Sequence, residues 1–181
     1  RRFSPISILK YANKIYHRMN LNSKKGSRKN ISSHYDLNND FFRLWLDESM
    51  TYSSAIFKND QTTLLEGQIE KYDRICRELK IKTSDHVLEI GCGWGGFSAY
   101  AAKNYGCRIT AVTISKEQYD FAVKRINDSG LNGKVEVLLK DYRDIEGEFD
   151  KIVSIEMIEA VGHEFLPAYF GKIDKLLKSD G

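Results

Sequence analysis

The stretch Val87-Leu88-Glu89-Ile90-Gly91-Cys92-Gly93-Trp94-Gly95-Gly96-Phe97 decides the fold. Its first four residues read as an apolar strand, which breaks into a glycine-rich turn that opens a helix. Glycines at 91 and 93 permit a tight turn and a close backbone approach to a ligand, with no Cβ in the way. The helix that follows offers N–H groups and the positive end of its dipole. Glu89, two residues before the first glycine, places a carboxylate where it can face a cationic ligand. Gly91, Gly93 and Gly96 also satisfy the dinucleotide spacing G-x-G-x-x-G, and a glycine cluster alone can be no more than a turn.

The next strand, Arg108-Ile109-Thr110-Ala111-Val112, separates these ligands. A nicotinamide dinucleotide site wants an acid near that strand's end, about 20 residues past the first glycine. Here the sequence has Thr113-Ile114-Ser115, and the next carboxylate, Glu117, already falls inside a helix. The pattern Glu89-x-Gly91-x-Gly93-x-Gly95 resembles motif I of class I methyltransferases, which bind S-adenosylmethionine. Those enzymes usually keep an acid after strand two as well, so Thr113 to Gln118 departs from their common form. It resembles instead the V-T-L-S-x-E-Q stretch of one subfamily.

That subfamily is the cyclopropane-fatty-acid synthases and their mycolic-acid relatives. His34-Tyr35-Asp36-Leu37-Asn38-Asn39-Asp40-Phe41-Phe42, then Leu46-Asp47-Glu48-Ser49-Met50-Thr51-Tyr52-Ser53, is similar to its N-terminal signature. Glu156-Met157-Ile158-Glu159-Ala160-Val161-Gly162-His163-Glu164 is similar to a block of its plant-type and related bacterial branch. The resemblance runs from about residue 28 to 181 in unbroken order.

The chain has 181 residues, the size of one domain with a sizeable core. No apolar run approaches 18 residues and the N-terminus has no signal-peptide core, so no spanning segment is expected. Cys76, Cys92 and Cys107 are odd in number without C-x-x-C pairing, which suits reduced thiols in a cytosol; Cys92 reads as a small loop filler. Charge is segregated. The first 30 residues hold nine Lys or Arg and no acid, leaving the other 151 at −6. Ile8, Ala12, Ile15, Tyr16 and Met19 recur there at helical spacing among Lys10, Lys14, His17 and Arg18. Such a basic amphipathic helix can lie on an anionic bilayer, or can dock on its own domain with its lysines merely solvated. No nucleic-acid motif accompanies it.

Three segments follow: a basic arm and hinge over 1–30, with the Ser-, Lys- and Asn-rich hinge running on to Ser33; an N-terminal helical lid over 31–83; and a cofactor-binding core over 84–181. Asp40 to Leu46 is short and amphipathic. Thr63 and Glu66 have capping-box spacing and start a helix through Leu79, with Leu65, Ile69, Tyr72, Cys76 and Leu79 on its apolar face. Ser115 and Gln118 form a second such box. Strands are expected at 86–91, 108–113, 134–139 and 149–155, and helices at 96–105, 115–129 and 164–178. The alternation predicts an α/β fold, a doubly wound parallel sheet of the Rossmann-like class I methyltransferase type with N-terminal helices. Only four of that class's seven strands are written here, Gly181 reads as the residue after the last helix, and no Met begins the chain. A fragment, C-terminally incomplete, is expected, with a family histidine and tyrosine of the active site lying downstream.

The resemblance implies a site. S-adenosylmethionine would be met by Val87, Leu88, Glu89, Ile90, Gly91, Cys92, Gly93, Trp94 and Gly95, by Thr113, Ile114, Ser115 and Gln118, by Tyr142 and Arg143, and by Tyr52 and Ser53 of the lid. Tyr52 would offer its ring to the sulfonium, and Asp141 would accept from the adenine amine. The family transfers a methyl group to the cis double bond of a phospholipid acyl chain and closes a cyclopropane, with bicarbonate as the base. Glu159 matches its active-site glutamate, although an acid at a helix start is also favoured by the dipole. His163 is expected to cap the next helix. Ser54 stands where the family commonly has cysteine; if the backbone N–H there serves the base site, serine suffices. The implied partner is an unsaturated phospholipid at the inner membrane face, met by a cytoplasmic peripheral protein, with assembly as a homodimer left open; no metal is implied. Two other functions stay open: an S-adenosylmethionine-dependent methyltransferase with another acceptor, such as a small amine, and a catalytically silent homologue, suggested by Ser54.

Overall fold

The computed structural model describes residues 39–181; the basic arm, the hinge and His34 to Asn38 lie outside the described residues. Chain order is α1 (Asn39–Arg43), α2 (Leu64–Glu78), β1 (His86–Ile90), α3 (Gly96–Asn104), β2 (Arg108–Thr113), α4 (Lys116–Asp128), β3 (Val135–Leu139), β4 (Lys151–Val153) and α5 (Leu166–Leu176). The four strands form one parallel sheet in the order β3-β2-β1-β4. A parallel sheet must be covered on both faces, and the alternation of side chains along each strand does this. Val87, Ile109 and Ala111 point into one core with Tyr72, Cys76 and Phe97. Leu88, Ile90 and Val112 point into the other with Phe149, Tyr169 and Leu176. After β3 the chain returns to the far side of β1, so the strand order reverses between β1 and β4. That switch point is where open α/β sheets bind ligands.

Thr63 and Glu66 make the expected capping box, with both reciprocal bonds present. Ser115 also caps α4, but the reciprocal arm is absent: the Gln118 side chain turns to Thr113, whose hydroxyl donates to its Oε1 at 2.8 Å. The buried face of α2 is rotated from expectation. Gly67, Gln68, Lys71, Tyr72 and Cys76 are buried, while Ile69 is 40% exposed. The cause is polar: Gln68 and Lys71 grip the lid loop, and Gly67 lets it approach, the Ile56 amide donating to the Gly67 carbonyl at 3.1 Å.

β4 is shorter than predicted. Phe149 leaves it to bridge Leu177, and the Ser154 hydroxyl bonds the Ile90 carbonyl at 3.2 Å. The last helix is also shorter, and its C-cap is the extended Leu177, not Gly181. His163 opens a short 3-10 turn and caps nothing; Phe165 is the N-cap of α5, without a side-chain bond. All three cysteines are buried thiols. Among the described residues, no helix is long and apolar enough to cross a membrane, and no group of ligating side chains suits a metal ion.

Candidate active site

A cavity of about 640 Å³ opens at the switch point. Its walls come from the chain just past each strand: Gly91 to Trp94 after β1, Ile114 after β2, Lys140 to Arg143 after β3, and Ile155 to Val161 after β4. The lid, from Trp45 to Ser54, closes one side. Gly91 and Gly93 hold φ of +78° and +52°, the left-handed region that glycine enters without cost. The Gly91 and Cys92 amides both donate to the Val112 carbonyl at 3.0 Å, tying the loop to β2. A Cβ on Gly91 would lie 2.9 Å from Met157 Cγ, whereas one on Gly93 would meet nothing within 4 Å. Gly93 is therefore where the backbone itself borders open cavity.

Glu89 lines this cavity yet is only 3% exposed. Burial pushes its carboxyl up to about 8, against the opposing bonds from the Ser98 hydroxyl and amide. It thus also serves the first turn of α3, which Gly95 cannot cap with a side chain. Across the cavity Asp141 accepts the Arg143 amide at 2.9 Å and a two-pronged guanidinium contact at 2.8 and 2.6 Å. Both Asp141 carboxylate oxygens are engaged within this chain, which leaves the adenine amine expected there in competition with Arg143.

The lid wall is aromatic above and polar below. Tyr52, 53% exposed, packs its ring edge-on to Trp45 at 5.1 Å and against Phe42 at 5.7 Å. Trp94 reaches from the glycine loop to Phe42 at 4.9 Å and donates its indole N–H to Asn39 Oδ1 at 2.6 Å. Beneath them, Lys71 Nζ donates to Ser53 Oγ at 2.6 Å and to the Ser54 carbonyl at 2.7 Å. Gln68 Nε2 donates to the Ser53 carbonyl at 2.7 Å. Burial pulls the Lys71 ammonium down to about 8, opposed by Glu156 and Asp47.

Glu156 faces this wall from the end of β4. Its Oε1 accepts both the amide and the hydroxyl of Ser54, each at 2.9 Å. Partial burial raises its carboxyl, but the bonds from Ser54, a further one from the Ser53 hydroxyl and the nearby Lys71 outweigh this and hold it below the ordinary value. Glu156 sits at φ +57°, a conformation unfavourable to any side-chain-bearing residue. Glu159 lies one short 3-10 turn further on and also lines the cavity.

The structure therefore brings Tyr52, Ser53, Ser54, Glu89, Ile90, Gly91, Cys92, Gly93, Trp94, Thr113, Ile114, Gln118, Tyr142, Arg143 and Glu159 to one cavity. Four expected residues stand apart from it. Val87 and Leu88 are buried in opposite cores, Gly95 abuts Ala122, and Ser115 caps α4. Gln68 and Lys71 escaped the sequence reading, which placed Glu156 at a strand's carboxyl end and at the head of the family-like block without giving it a role. For the first two a signal existed, since Gln68, Lys71, Tyr72 and Ile75 follow helical i, i+3, i+4, i+7 spacing.

Comparison with known proteins agrees with this geometry. Residues 22–181 match the family model of mycolic acid cyclopropane synthetase. The chain is 44% identical over 162 residues to the cyclopropane-fatty-acyl-phospholipid synthase of Escherichia coli K12, covering 90% of this chain and 41% of that protein. It is 42% identical over 166 residues to the tuberculostearic acid methyltransferase UfaA1 of Mycobacterium tuberculosis, covering 88% and 39%. The mycolic acid cyclopropane synthase CmaA1, solved with SAH and CTAB, superposes with a TM-score of 0.81 at 36% identity, covering 84% of this chain and 53% of that one. The chain thus spans about two fifths of the length of the curated relatives it matches.

Proposed function

Because the chain belongs to the mycolic acid cyclopropane synthetase family, we propose that it forms the cofactor half of an S-adenosylmethionine-dependent enzyme that alkylates the double bond of an unsaturated acyl chain, closing a cyclopropane ring. The observation that carries this is the cavity at the switch point, bordered at once by the glycine loop, by Glu89 and by the aromatic lid. S-adenosylmethionine fits these residues: Gly93 leaves backbone open to it, Glu89 offers a buried carboxyl that a cationic group beside it would ionise, and Tyr52 an aromatic face to its sulfonium. When bound, it supplies an electrophilic methyl group.

An alkene is a weak nucleophile, so the chain's part is to hold it in line and keep the cavity dry. Phe42, Trp45, Tyr52 and Trp94 supply an apolar ceiling suited to an acyl chain. Glu159 presents a second carboxylate at the same wall. The bicarbonate implied by the resemblance does not fit as the residues stand, because the Ser54 amide that would hold it already donates to Glu156. No step is derived through it. A phospholipid acceptor at the inner membrane face is the reading we favour for the substrate, supported by the basic arm and by the phospholipid synthase among the relatives. A second reading, simple methylation of the acyl chain, is favoured by the similarity to a tuberculostearic acid methyltransferase.

The test pairs binding with product. Calorimetry should show the full-length protein binding S-adenosylhomocysteine, and Gly93→Val should abolish this, because its side chain takes ligand space and also strains a backbone held at φ +52°. Mass spectrometry of lipids from cells expressing the full-length gene should show acyl chains 14 mass units heavier with the double bond gone. Unchanged affinity in Gly93→Val would remove the cofactor assignment; a product that keeps its double bond, or lacks a ring, would favour methylation.

A further inference from the structure

We propose that Glu156 fills the anion seat at Ser54 and is itself the proton acceptor of the reaction, so that this protein works without an added carboxylate or carbonate ion. The inference deepens the function proposed above and rests on it. The seat is a pair of donors, the Ser54 amide and hydroxyl, and Glu156 Oε1 takes both at 2.9 Å. Serine matters here, since a hydroxyl donates to a carboxylate far better than the thiol of a cysteine would. Lys71 completes the seat from behind by bonding Ser53 Oγ and the Ser54 carbonyl. The chain reaches this arrangement at a backbone cost: Glu156 occupies a left-handed conformation, φ +57°, that glycine would adopt freely. Strain of this kind at a cavity wall is the mark of a side chain held for a purpose.

The proton step balances with this group alone. Once the acyl chain has taken the methyl, the neighbouring carbon is cationic. One C–H bond of the new methyl then breaks, its electron pair forms the second ring bond to that carbon, and the proton passes to a Glu156 oxygen. A proton beside a cationic carbon is strongly acidic, so a carboxylate kept ionised by Ser54 and Lys71 is base enough. It returns its proton to water between turnovers.

The experiment uses the full-length protein in carbonate-free buffer. The wild type should turn over without added bicarbonate. Glu156→Gly removes the carboxylate and also relieves the strained φ, so its melting temperature should not fall and its affinity for S-adenosylhomocysteine should hold. Its turnover should drop by about a hundredfold or more, the usual worth of a positioned general base. Added formate or bicarbonate should restore turnover and, as a readout independent of activity, should raise the melting temperature of Glu156→Gly but not of the wild type. A wild type that loses activity when bicarbonate is stripped, or a Glu156→Gly protein that is fully active without any added carboxylate, overturns the proposal. Failure of the wild type to bind S-adenosylhomocysteine overturns instead the cofactor reading, and this proposal with it.

Discussion

Burial at the end of β1 takes the Glu89 carboxyl out of water and raises it from an ordinary 4.5 to about 8. Between those values the folded chain keeps a proton that the unfolded chain has released. This group's contribution to stability therefore falls as pH rises from about 4.5 to 8, with a limiting slope of about 1.4 kcal/mol per pH unit. Glu89→Gln keeps the shape and loses the titration. Urea midpoints at pH 5 and pH 8 should diverge less in that variant than in the wild type, while affinity for a cationic cofactor drops. Parallel pH dependence in the two proteins would show that Glu89 is ionised in both states. The importance of Glu89 was legible in its spacing from Gly91; its burial was not, because a charged residue inside a strand pattern reads as solvent-facing. Glu156 was less legible still. Sequence patterns mark a glycine where φ turns positive, and they are silent when a glutamate accepts that conformation for the sake of Ser54.

At the scale of elements, the lid is held to the core by few contacts of known kind. Arg125 of α4 donates to the Ser49 carbonyl at 2.5 Å and the Glu48 carbonyl at 2.9 Å, and lies 5.1 Å from the centre of the Phe121 ring. Arg125→Met keeps the aliphatic stem and removes both bonds. It should cost about 1–3 kcal/mol of stability, the usual range for bonds to a charged group, and should speed proteolytic cleavage between residues 44 and 54. It should also weaken S-adenosylhomocysteine binding, because Tyr52 and Ser53 follow directly on the clamped segment. Cleavage at the wild-type rate would mean that the remaining ties, Phe42 against Trp94, Trp94 to Asn39 and Ser54 to Glu156, hold the lid without Arg125. Helix and strand positions were legible to within a few residues, since period and caps are local. The face α2 buries was not, because hydropathy assigns Ile69 to the core and Lys71 to water, whereas the loop carbonyls recruit Lys71 inward.

At the scale of the whole molecule, the parallel class of the sheet follows from alternating strands and helices, and the strand reversal that creates the cavity follows from chain order. What neither dictates is how the cavity would meet the bilayer-embedded acyl chain proposed as its substrate. Charge segregation supplies an answer. Nine basic residues and no acidic one in the first 30 oppose a remainder at −6, so a uniform attraction to anionic lipid would fail for the core alone and succeed for the arm. Each lysine or arginine near such a surface contributes about 1 kcal/mol, and the attraction decays within a Debye length of about 10 Å at 0.1 M salt. The full-length protein should therefore co-sediment with vesicles containing phosphatidylglycerol, less so as salt rises, and hardly at all with vesicles of phosphatidylcholine. Deleting residues 1–20 should abolish the salt-sensitive fraction while leaving S-adenosylhomocysteine affinity intact. Co-sedimentation indifferent to both salt and deletion would assign membrane contact to the exposed apolar side chains Leu44 and Phe57 instead, and leave the arm's charges as solvated surface.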